Sequence, residues 1–107
     1  MSFDIDEFRR NQRKVDEMLK LNNEFVSASL GLATGETTEV DIETIKLKQE
    51  VFPNFKSGET TARETMKTLI SRQDWAEENG KTEVAEACKR LRGEIRERAA
   101  DEMYADK

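Results

Sequence analysis

The chain has 107 residues, of which 38% are charged and 36% hydrophobic, with a formal net charge of −5, one cysteine and no histidine. Charged residues exceed the usual share of about a quarter, so the expectation is one helical domain over residues 1–107 with a thin core, and no apolar run is long enough to cross a bilayer. Without histidine, and with Cys88 as the one thiol, the chain lacks a Ser-His or Cys-His pair, a zinc site and an internal disulfide.

The first predicted element is a long amphipathic helix over about residues 4–30. Ile5, Phe8, Val15, Leu19 and Val26 recur at helical spacing, with Met18 and Phe25 widening the same face, and this stripe is expected to face the core. On the other side Asp6 and Arg10, Arg13 and Glu17, and Asp16 and Lys20 form four-residue pairs of opposite charge that support the helix. Asn22 falls in the stripe, where it either fixes a register between helices or marks a shallow edge of the core. Gly31, Gly35 and the nearby threonines stop the helix in an exposed loop.

A short second helix is expected over about residues 41–52. Val40 and Ile42 alternate like a strand, but the alternation fails at Thr44-Ile45, and Asp41 is a natural N-cap. Pro53 ends the helix, because a proline pushes the residue before it out of helical conformation. After a loop containing Ser57-Gly58, a third helix covers about residues 61–79, opened by Thr61 and Glu64 at capping-box spacing. Asn79-Gly80 supplies its left-handed end. Thr82 caps a fourth helix over about residues 83–103, whose stripe is Val84, Cys88, Leu91, Ile95 and Ala99. The short connection makes the last two helices an antiparallel hairpin. The fold class is therefore all-α: a small bundle with a long N-terminal helix, a short second helix and a C-terminal helical hairpin.

Trp75 carries the clearest functional signal, since it sits about 180° around its helix from Met66, opposite the apolar stripe. Either another helix wraps behind it, or it anchors a partner, as tryptophan does in binding hot spots. Phe25 and Tyr104 are the other candidate partner-binding aromatics. Two basic groups, Arg9 with Arg13, and Lys89, Arg90, Arg92 and Arg96, are candidates for contact with a phosphate or nucleic acid if the fold joins them. Residues 75–93 depart from a helix-turn-helix reader, because Glu86 stands where that motif carries an apolar residue.

The functional expectation is a non-enzymatic protein-binding module, a small adaptor or inhibitor of the kind bacteria and phages use as accessory proteins, which associates with itself. It has no metal and no cofactor. The alternatives are a regulator that holds nucleic acid or a phosphorylated ligand through the arginine groups, and a structural subunit of a larger assembly. An N-terminus without the basic and apolar parts of a secretory signal points to the cytoplasm.

Overall fold

The computed structural model describes residues 4–105, and the side chains of residues 4–99. Among them are four helices, α1 (Ile5–Thr34), α2 (Glu39–Ser57), α3 (Ala62–Glu78) and α4 (Thr82–Ala105), and no strand. The protein is an all-α bundle, and residues 39–57 are helical throughout.

The helix ends follow local chemistry. Asp4 caps α1 by accepting from the Glu7 amide. Thr38 and Asp41 close a capping box on α2, and Thr61 and Glu64 close another on α3. Asp41 is thus the third residue of α2 and not its cap. Its carboxyl is held below the ordinary value by the Thr38 amide, with help from the Arg90 guanidinium. Thr82 is the first residue of α4. α1 and α2 end at Gly35 and Gly58, and the α3–α4 turn passes through Gly80, each glycine with positive φ. At each the next amide reaches back to a carbonyl of the last turn, as Glu36 does to Gly31 at 2.8 Å.

Two expected stops fall inside helices. Gly31 lies within α1 because its bare Cα makes room for Thr37, folded back against the helix end; a Cβ on residue 31 would overlap Thr37 Oγ1 and stand 3.2 Å from Thr37 Cβ. Gly31→Ala should therefore destabilise the protein by about 1 kcal/mol, because overpacking outweighs the gain in helix propensity. Thr37→Ala in the same chain restores the loss in a urea titration; a Gly31→Ala variant more stable than the parent would refute the clash.

Pro53 lies within α2 and is buried. It removes an amide that would bond the carbonyl four residues back, at about 3 kcal/mol in an isolated helix. Tertiary burial offsets this, since Phe52 is almost wholly inaccessible and the turn after Pro53 carries Phe55 onto the core and Lys56 to Glu17.

All four helices feed one core: Leu21 from α1, Leu47 and Phe52 from α2, Leu69 from α3, and Ala87, Cys88, Leu91 and Ile95 from α4. α2 lies at the centre. It runs antiparallel to α1, with Glu17 meeting Lys56 and Asn22 meeting Gln49, and parallel to α4, with Asp41 meeting Arg90 and Lys48 meeting Glu94. α3 and α4 form the expected hairpin, in which Arg92 donates to Gln73. The backbone of α1 comes close to that of α2 and, among the described residues, to no other helix.

The main correction concerns which way α1 faces. Val15, Leu19, Val26 and Leu30 are 48–69% exposed, and Ile5, Phe8 and Met18 are also exposed. The buried positions are Glu17 and Leu21, with Phe25 and Ala28 half-buried beside them. At 100° per residue this buried side is nearly opposite the Val15–Leu19–Val26 line, so the most apolar stripe of α1 points away from the domain. The reason lies in α2, which offers polar partners as well as apolar surface. Lys56 Nζ stands 3.0 Å from Glu17 Oε1, Gln49 donates to Asn22, and Lys14 reaches Glu59 at 2.9 Å. Glu17 accordingly pairs with Lys56 rather than with Arg13.

Candidate functional site

The outer face of α1 is a narrow line. Positions 5, 8, 12, 15, 19, 22 and 26 alternate three and four apart, and all seven side chains are exposed. That alternation is the seam of a coiled coil, narrower than the broad stripe of a helix lying on a globular core. Two members are polar, Gln12 and Asn22. Both have specific bonds: Gln12 Nε2 donates to Asp16 Oδ1 at 3.2 Å, and Asn22 Oδ1 accepts from Gln49 Nε2 at 3.0 Å. The first turns of α1 precede Lys14, which is tied to Glu59 just beyond the end of α2. They therefore extend past the helix that supports the rest of α1.

Sequence reasoning assigned Ile5, Phe8, Val15, Leu19 and Val26 to the core and so missed this face. The strict three-four alternation was the available signal. A second set of positions on the opposite side, 14, 17, 21, 24 and 28, fits the same spacing and is the one the core uses.

Trp75 is 51% exposed on α3, so of the two readings its position left open, burial behind another helix does not hold among the described residues. An open groove beside it is lined by Lys67, Thr68, Ser71 and Arg72, and Arg72 is paired with Glu50 at 2.8 Å. Phe25 is half-buried at the edge of the inner face of α1. Tyr104 lies in the final turn of α4, where side chains are outside the described residues.

The two basic groups are not joined. Arg9 and Arg13 are exposed on the N-terminal turns of α1, beyond the C-terminal end of α2, whereas Arg90 is paired with Asp41 in the first turn of α2. The 19 residues of α2 separate those ends, about 28 Å at 1.5 Å per residue. Arg92 is turned toward Gln73, and Lys89 and Arg96 are exposed on α4.

Cys88 is fully buried, and desolvation pushes its thiol up despite nearby Arg72 and Arg92. Among the described residues no group of three or more acidic or cysteine side chains is placed to hold a metal ion, and no helix is long and apolar enough to cross a membrane.

No protein-family model, no curated protein and no solved structure matches the chain. The fold and its surface define a four-helix bundle with an apolar seam turned outward.

Proposed function

We propose that the protein is a non-enzymatic binding module that engages protein partners through the outer face of α1. The observation that carries this reading is the line of Val15, Leu19, Val26 and Leu30, all about half exposed or more, along a helix whose opposite side supplies Leu21 to the core. Single exposed apolar residues are ordinary, but a line of exposed aliphatic side chains along one helix, interrupted at Asn22, is a surface that helical partners cover. The chain's one thiol is buried and it has no histidine, which supports recognition over thiol or histidine catalysis at this face.

Leu19→Glu tests the reading, because Leu19 is exposed and a charge there spoils the seam while sparing the core. Immobilised parent protein should retain partners, a second copy included, that the Leu19→Glu protein loses at unchanged helicity. Retention of the same proteins by both would overturn it.

A further inference from the structure

We propose that the exposed side of α3 around Trp75 binds single-stranded nucleic acid, with one base stacked on the indole and the neighbouring phosphates held by Lys67 and Arg72. This site is separate from the outer face of α1 and does not depend on the reading of that face.

Trp75 is about half exposed, and its indole N–H has no hydrogen-bond partner among the described residues. Helical side chains lean toward the N-terminus, so the indole lies over the turn that precedes it. There it opens onto the groove lined by Lys67, Thr68, Ser71 and Arg72, all from α3. Among the described residues no carboxylate lines that groove. The groove over α2 differs, since it mixes Lys20, Lys48 and Arg90 with Glu24 and Asp41, and the cleft between α2 and α3 presents Glu50 and Glu64. An exposed indole with cations alone beside it matches a flat ring joined to an anion, which is the make-up of a nucleotide.

Arg63, Lys67, Ser71 and Trp75 follow one another at intervals of four, one slanting row on the surface of α3, and all four are exposed. Neither Arg63 nor Lys67 is held in an ion pair among the described residues. Arg72, on the other flank, gives one nitrogen to Glu50 in a pair whose side chains are 43% and 49% exposed. A surface pair of that kind is loosely held, and the guanidinium keeps further donors for a phosphate. Arg72 stands about one turn from Trp75, and Lys67 about 12 Å along the axis at 1.5 Å per residue, so phosphates of one strand can meet both. The groove is shallow and follows a single helix, whereas sites for free small ligands enclose most of the molecule. A strand lying across the surface fits it better.

Acidic neighbours set the direction of the strand. Asp74, Glu77 and Glu78 crowd the C-terminal turns of α3, whereas Glu64 is engaged in the capping box and Glu59 is paired with Lys14. Phosphates therefore leave Trp75 toward Arg63. The chain's net charge of −5 opposes a polyanion, so the attraction comes from this local group of cations and from stacking.

The test uses the full chain and an oligothymidylate of about ten nucleotides, within the range of single-strand sites, fluorescein-labelled for anisotropy and unlabelled for protein fluorescence. Trp75 is the chain's one tryptophan, so stacking reads directly as quenching. At low salt the parent should show saturable quenching, and its affinity should fall with added salt at a log–log slope of about −1.4 to −2.1, as two or three phosphate contacts on a single strand require. Trp75→Ala should weaken binding at least about fivefold, as loss of one stacked base does. Lys67→Ala should weaken it too and make the slope shallower by about 0.7. Lys89→Ala removes the same charge from α4 and should change binding less. All three positions are exposed, and circular dichroism checks that the variants fold. Equal losses in Lys67→Ala and Lys89→Ala, a duplex bound as tightly as the single strand, or an absence of quenching would overturn the proposal. A protein retained by the parent and lost by Trp75→Ala, with no response to the oligonucleotide, would assign the groove to a protein partner and overturn it as well. Any of these outcomes leaves the α1 reading standing, since Leu19→Glu tests that face by itself.

Discussion

Leu21→Ala lowers the stability of the protein by about 2–5 kcal/mol, whereas Leu19→Ala, two residues earlier on the same helix, changes it by less than about 0.5 kcal/mol. Leu21 is 1% exposed and belongs to the core cluster with Leu47, Phe52 and Leu91. Truncating it removes apolar contacts and leaves a cavity between α1 and α2 that the surrounding helices only partly close. The side chain of Leu19 is mostly in water already, so its loss returns little surface to solvent. For a domain of this size the first variant should melt roughly 10–30 °C lower. The measurement is thermal unfolding at a chain concentration where the protein is monomeric, since association would stabilise the folded state through the same face. Equal losses at the two positions, or a larger one at Leu19, would mean that α1 is turned the other way.

The second large effect concerns the ion pair beneath α1. Glu17 and Lys56 have side chains only 9% and 17% exposed, and the carboxylate oxygen facing Lys56 lies within ion-pair distance without an aligned hydrogen bond. Such a pair gains little over an apolar replacement, but removing one member strands the other charge in a dry site. Lys56→Met should cost about 1–3 kcal/mol, below the range for a fully dehydrated pair because both groups keep some contact with water. Methionine preserves the stem that passes Phe52 and forfeits the ammonium 5.0 Å above that ring. Adding Glu17→Met should recover the loss and bring the double variant to within about 1 kcal/mol of the parent. A urea-based double-mutant cycle measures this, and additive losses would show that the two side chains do not interact.

The C-terminal half was legible in detail because its signals are local. Thr61 and Glu64 form the expected capping box, Gly80 takes the left-handed turn, and Cys88, Leu91 and Ile95 are the buried stripe of α4. In that hairpin the neighbour of each helix is the next segment of chain, so pattern and partner coincide. α2 was harder. The steric rule at Pro53 is correct for an isolated peptide, but burial of Phe52 and Pro53 holds the helix together past it. The candidate site was legible only in pieces: the angle of Trp75 placed it off the main stripe without deciding whether it would be covered, and Val15, Leu19 and Val26 were assigned to the wrong environment.

What the sequence by itself determined is the all-α class, the existence of each helix, the capping box at Thr61 and Glu64 and the glycine turn at Gly80, since these follow from spacing and hydrogen-bonding chemistry within a few residues. Only the tertiary structure decided which side of α1 is inside. Periodicity locates apolar residues around a helix, but it does not say what each side will meet. α2 meets α1 with Lys56, Gln49 and the approach of the chain from Gly31 to Thr37, and these match Glu17, Asn22 and a bare backbone better than a line of large aliphatic side chains. The more apolar side of α1 was left facing outward because the less apolar side had the complementary partner.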